Sequence, residues 1–158
     1  MDPVFRWIES SALSVWTRES TSLLAYPAIL SAHAIGMGLA AGVSAAIALH
    51  MLGAAPDIPT EEMRRYGVVG WIGFGLNAIS GVILLIAYPT KALTNPLFYV
   101  KLSLVAVGVW LFAAVNRRFA MWTAAARVRV GIALLASWGG AIVAGRLLAY
   151  TYRRLMAG

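Results

Sequence analysis

The sequence predicts an all-α integral membrane protein, a four-helix bundle with a short N-terminal interfacial helix, and three observations carry that prediction. Hydrophobic residues make up 61% of the chain and charged residues only 12%, where a soluble domain holds about 25% charged residues, and mean hydropathy is +0.78. Apolar stretches long enough to cross a bilayer recur four times, separated by arginines, prolines and glycines. These stretches fill most of the 158 residues, so residues 1–158 read as a single transmembrane domain with no separate water-facing one.

The elements follow in order. Residues 4–16 place Phe5, Ile8, Ala12 and Val15 on one stripe, with Arg6, Glu9 and Ser10 off it, the pattern of an amphipathic helix lying in the membrane interface. Asp2 stands where a signal peptide would carry a basic residue, and the apolar run that follows is long enough to remain in the membrane. The first span covers 27–51. Pro27 suits a first helical turn, where its missing N–H has no partner to lose, and Gly53, Pro56 and Pro59 break the chain afterwards. Thr60 is placed to cap the second helix, with Glu61 and Glu62 in its first turn, and the second span covers 66–88. Pro89, Asn95 and Pro96 make a short turn to the third span, 97–115, which ends at Asn116, Arg117 and Arg118. The fourth span, 130–150, closes on Tyr150 and Tyr152 as interfacial aromatics and on Arg153 and Arg154 as a stop. The GxxxG pair Gly38 and Gly42, five glycines between 67 and 81, and Gly139, Gly140 and Gly145 point to close helix packing.

Lys101 and Arg146 stand out within this pattern. The charge-free runs beside them, 102–116 and 130–145, both fall short of the ~20 apolar residues a span needs, so the helices must extend past the charges. At ~1.5 Å per residue, Lys101 lies roughly 6 Å inside one face, Arg146 at a similar depth and His33 about 9 Å in. Antiparallel neighbours put all three on the same face. All six acids, Asp2, Glu9, Glu19, Asp57, Glu61 and Glu62, lie outside the spans, so no internal carboxylate neutralises the two embedded cations, whose desolvation is costly.

An external anion resolves this imbalance. A haem b supplies two propionates for the cations and an iron for a neutral imidazole. The candidate cofactor-binding set is then His33 on the haem iron, Gly36 one turn away leaving room for a flat macrocycle, and Lys101 and Arg146 on the propionates. His50 follows His33 by seventeen positions, roughly 25 Å along a helix, and Met37 shares a helix face with His33, so neither completes the coordination. The iron would be five-coordinate, ligated also by Lys101, or held between two copies of His33 in a homodimer. The competing reading has His33 hydrogen-bonding Asn77 or Ser80 while Lys101 and Arg146 snorkel to headgroups. The chain is then a cofactor-free accessory subunit of a larger membrane complex.

Several function classes are excluded or disfavoured. With no cysteine there is no disulfide, thiolate metal site, c-type haem or iron–sulfur cluster. The net charge of +7 comes from arginines at the ends of apolar runs, which serve as anionic-lipid and topology anchors and imply no nucleic acid. Copper transport through His33, His50 and methionines ranks lowest, because Met63, Met121 and Met156 are scattered. Hydrolytic chemistry lacks an internal carboxylate or a Ser/His/acid set. The basic, acid-free connection between the third and fourth spans is assigned to the cytoplasmic side, leaving the His33 side outward.

The runs Tyr26-Pro27-Ala28-Ile29-Leu30-Ser31-Ala32-His33-Ala34-Ile35-Gly36-Met37, His50-Met51-Leu52-Gly53 and Asn95-Pro96-Leu97-Phe98-Tyr99-Val100-Lys101-Leu102 resemble an uncharacterised family of small four-helix bacterial membrane proteins. That family is similar to HemJ-type protoporphyrinogen oxidases and CopD-type copper-resistance proteins. The resemblance spans nearly the whole chain through short motifs. It implies a multi-pass protein of the bacterial cytoplasmic membrane that binds haem b, with His33 and Lys101 at the functional His and Lys positions and Gly81 at a second-helix glycine. Electron exchange with quinone, or oxidation of a porphyrin, is the activity it implies.

Overall fold

The computed structural model describes residues 3–54 and 60–155, with side chains described at 3–54 and 65–151. Among the described residues every regular element is helical: α1 (Pro3–Glu9), α2 (Ala12–Glu19), α3 (Tyr26–Met51), α4 (Thr60–Ala87), α5 (Pro89–Leu93), α6 (Pro96–Arg118), a 3-10 turn (Phe119–Met121) and α7 (Ala124–Leu155). The protein is an all-α helical bundle. Tyr26–Met51, Arg65–Ala87, Pro96–Met121 and Ala124–Thr151 are long and apolar enough to cross a membrane, so this is a multi-pass membrane protein. Ile72, Ile79, Val82, Trp110 and Val143 lie exposed along the outside of these helices, where lipid covers them.

Local chemistry sets most helix ends. Pro27 occupies the first turn of α3, and Pro89 and Pro96 open α5 and α6. Asn95 caps α6 through its Oδ1, which accepts the Leu97 N–H at 3.0 Å. At the end of α3, Gly53 adopts φ +80°. The Ala54 N–H then reaches the Leu49 carbonyl and the Gly53 N–H the His50 carbonyl, each at 3.0 Å, which satisfies carbonyls that the helix end would otherwise orphan. The segment after Tyr88, expected as a plain turn, winds into the short helix α5. The Thr60 cap, the acids Glu61 and Glu62, and the Tyr152-Arg153-Arg154 stop lie outside the described side chains.

The N-terminal segment departs from the single amphipathic helix expected over 4–16. It is two helices with a break at Ser10 and Ser11. Ser10 Oγ donates to the Trp7 carbonyl (2.9 Å) and Ser11 accepts the Ser14 N–H (3.4 Å), side-chain bonds that compete with helix continuation and start a new one. Of the expected stripe, Phe5, Ile8 and Val15 are half-buried and Ala12 is exposed, but the most deeply buried positions are polar. Ser14 and Thr17 are fully buried, whereas Val4, Trp7, Leu13 and Trp16 are exposed. The inner contacts are polar: Thr90 Oγ1 donates to Glu9 Oε1 (2.7 Å), Arg18 Nη2 to the Glu9 carbonyl (2.7 Å) and Ser14 Oγ to the Ala87 carbonyl (3.4 Å). At a lipid interface the small polar face turns to protein and the bulky apolar face turns to lipid.

In the bundle, α3 packs along α4, α6 along α7, and α3 against α7. The α3–α4 crossing is close enough to need glycine on both sides. A Cβ on Gly36 would stand 2.5 Å from the Asn77 nitrogen and 2.7 Å from the Gly73 oxygen, and one on Gly73 would stand 2.5 Å from the Leu39 Cβ. Gly70 makes room for the Phe112 ring of α6, which also meets Trp71 edge-on at 5.5 Å. The large buried side chains, Ile47, Met51, Leu111, Phe112, Val115, Leu134 and Trp138, run from the bilayer centre toward the side where α3 and α6 end. Toward the opposite side, among the described residues, the buried apolar residues of the spanning helices are Ala87, Ala141 and Ala144.

Candidate functional site

The α3–α4 crossing dictates what surrounds His33. One turn before Gly36, the His33 ring is carried against the α4 segment that holds Asn77, Ser80 and Gly81. Its Nδ1 lies 3.1 Å from the Asn77 carbonyl oxygen and 3.3 Å from Ser80 Oγ. A carbonyl only accepts, so this contact is a hydrogen bond in the tautomer that carries its proton on Nδ1. Ser80 Oγ donates in turn to the Leu76 carbonyl (2.6 Å) and the Asn77 carbonyl (3.1 Å). The Asn77 amide Nδ2 donates back to the His33 carbonyl at 2.8 Å and touches both ring nitrogens at 3.3 and 3.4 Å. In the Nδ1-protonated tautomer, Nε2 is the ring's acceptor. Gly81 leaves the ring its space, since a Cβ there would stand 3.2 Å from Cε1.

Lys101 lies at the same level on α6. It is half-buried. Its side chain runs along Gly145 of α7, where a Cβ would meet Cε at 3.6 Å and Nζ at 3.7 Å. Among the described residues no carboxylate pairs with it; Glu9 is engaged by Thr90, and Glu19 is exposed on α2. Below it, Asn95 Nδ2 donates to Thr151 Oγ1 at 3.0 Å and ties the start of α6 to the end of α7.

Two of the four expected cofactor residues do not join this cluster. Gly36 faces the backbone of Gly73 and Asn77, so the space its missing side chain leaves is taken by α4 and holds no macrocycle. Arg146 is exposed, because one residue past Gly145 is a turn of about 100° around the helix, away from Lys101. Depth was readable from its position, whereas direction was not. His50 sits at the opposite end, its ring 6.1 Å from Phe119, so it takes no part. The expected polar partners Asn77 and Ser80 are in contact with His33. Gly145, read from sequence only as a packing glycine, makes room for Lys101; its spacing from Arg146 held no signal of that role.

The donor set fits an axial imidazole and one anionic group. A metal-ligating histidine usually fixes its non-ligating nitrogen through a carbonyl or carboxylate, and Nδ1 is fixed in that way. Among the described residues no group of three or more His, Asp or Glu side chains gathers as a metal site, so a bare ion held only by protein does not fit. No protein-family model, curated protein or solved structure matches the chain.

Proposed function

We propose that this is a multi-pass protein of the bacterial cytoplasmic membrane that binds haem b, with His33 Nε2 as the iron ligand and Lys101 as the partner of a propionate. The observation that carries the reading is the Nδ1···O=C contact from His33 to Asn77 at 3.1 Å, which in the Nδ1-protonated tautomer frees Nε2 to ligate; Lys101 adds an ammonium without a carboxylate partner among the described residues. Haem would supply a one-electron centre, suited to exchange with quinone or to oxidation of a porphyrin. The protein's part is to fix the tautomer through Asn77, keep the ring edge clear through Gly81 and neutralise one acid group through Lys101. The motif resemblance to HemJ-type oxidases supports the same two residues.

A second reading rests on the same contacts. Asn77 and Ser80 already meet the polar needs of the ring's Nδ1 side, as they would in a cofactor-free accessory subunit. Absorption spectra decide between them. Protein purified from a host fed a haem precursor shows a Soret band and a haem b pyridine haemochrome. His33→Ala abolishes the band, Lys101→Met lowers occupancy, and Arg146→Gln leaves it unchanged. Colourless wild-type protein, or a Soret band that persists in His33→Ala, overturns the haem reading.

A further inference from the structure

The membrane face opposite His33 carries a second cluster, independent of the haem reading. Arg117 and Arg118 end α6, and the 3-10 turn Phe119–Met121 leads through Trp122 and Thr123 into α7, whose first turns hold Arg127 and Arg129. Arg117, Arg118 and Arg129 are exposed, but Arg127 is half-buried. Its guanidinium Cζ lies 4.4 Å from the centroid of the Phe119 ring, which stacks a cation on an aromatic face. Its Nε is buried without a hydrogen-bond partner, whereas Arg129 turns its Nε onto the Ala125 carbonyl of its own helix (3.4 Å). Among the described residues no carboxylate faces Arg127. The acids that the sequence places on this face, Asp57, Glu61 and Glu62, belong to the other connection, and their side chains lie outside those described.

A guanidinium held over a ring is restrained in position, and its planar donor fork recognises phosphate by paired hydrogen bonds. Arg127 also has the right depth. The stretch of α7 long and apolar enough to cross a membrane begins at Ala124, which places Arg127 in its first turn, at the level expected of headgroup phosphates. Met121, in the same 3-10 turn as Phe119, is 80% exposed, an apolar surface for an acyl chain. We propose that Arg127, braced on Phe119 and flanked by Arg117, Arg118 and Arg129, binds the phosphodiester of an anionic phospholipid headgroup. Arginines that act only as topology charges share their effect and are interchangeable with lysine. A built site makes one arginine dominant and discriminates against lysine.

The test uses the full chain in detergent, given equal phosphatidylglycerol and phosphatidylcholine and examined by native mass spectrometry. The wild type retains phosphatidylglycerol preferentially. Arg127→Gln lowers that retention about tenfold or more, as expected for loss of hydrogen bonds to a charged group. Arg127→Lys, which keeps the charge and whose helical circular dichroism reports folding, lowers it several-fold, and Arg129→Gln has a smaller effect. Equal retention of the two lipids overturns the proposal. So does full retention in Arg127→Lys, which marks diffuse charge only. Displacement of the lipid by millimolar inorganic phosphate, with phosphate itself binding, also overturns it, because the ligand is then a soluble anion.

Discussion

Two glycines two residues apart on α3 should respond to the same substitution in opposite directions. Gly36 faces α4 backbone, with the Asn77 nitrogen 2.5 Å and the Gly73 oxygen 2.7 Å from where a Cβ would lie, whereas Gly38 has nothing within 4 Å. Non-bonded carbons rest about 3.5–4.0 Å from their neighbours, so Gly36→Ala must part the helices by about 1 Å. Overpacking of this kind costs about 1–3 kcal/mol. The parting also strains the two hydrogen bonds one turn away, His33 Nδ1 to the Asn77 carbonyl and Asn77 Nδ2 to the His33 carbonyl, each worth about 0.6 kcal/mol in a bilayer. Alanine recovers about 1 kcal/mol of helix propensity over glycine. The net loss expected for Gly36→Ala is therefore about 1–3 kcal/mol. Gly38→Ala meets no atom and keeps the propensity gain of up to about 1 kcal/mol. Reversible unfolding in mixed dodecyl sulfate and maltoside micelles, followed by circular dichroism, measures both variants against the wild type. Equal stability of the two would refute the close crossing, and with it the placement of His33 against Asn77.

Further predictions follow from single contacts. Ser44 is buried at 1% exposure and its hydroxyl has no hydrogen-bond partner, so Ser44→Ala removes an unsatisfied group at almost constant shape. It should stabilise the protein by about 1 kcal/mol in the same titration, and a loss of stability would mean that the hydroxyl is bonded. Thr90→Val removes the 2.7 Å bond to Glu9, which anchors α1 and α2 to α5. Weakening of this anchor by about 1 kcal/mol or more should speed proteolysis in the 20–25 connection while leaving the spanning helices protected, and an unchanged digestion rate counts against it.

The parts of the fold that local chemistry determines were legible in the sequence. Pro27, Pro96, Asn95 and Gly53 each act on the backbone within a few residues, and the ends they implied lie within a residue or two of those observed for α3 and for the start of α6. Lys101 and Arg146 correctly required longer third and fourth helices, because the apolar length on either side was too short. What depends on partner choice was not legible. Gly36, Gly38, Gly42, Gly70, Gly73 and Gly75 are chemically alike, and only the pairing of α3 with α4 makes Gly36 and Gly73 the crossing point while Gly38, Gly42 and Gly75 face open space. The exposure of Arg146 was not legible for the same reason, since span length gives depth but not direction. On α2 the polar inner side did have a signal: Ser14 and Thr17 lie three residues apart on one side of the helix, and a helix whose small polar residues align docks with that side when the rest faces lipid.

The two ends of the bundle differ in what holds them, and the difference bears on where a ligand can enter. Lipid tails are as apolar as leucine, so association of membrane helices relies on close packing and hydrogen bonds more than on apolar burial. From the bilayer centre toward the Arg117 side, packing does this: Phe112 fills the space over Gly70, and Leu134, Trp138 and Met51 complete a dry core. Toward the His33 side, α3 is held to α4 by the Gly36 crossing and the Asn77 bonds, and α6 to α7 by the Asn95–Thr151 bond. The two pairs carry His33 and Lys101 there with no large apolar side chain fully buried among the described residues. Separating the pairs at that end would break none of those bonds, whereas separating them at the other end would expose Phe112, Leu134 and Trp138. An anionic guest between His33 and Lys101 would therefore enter at the end where opening costs least.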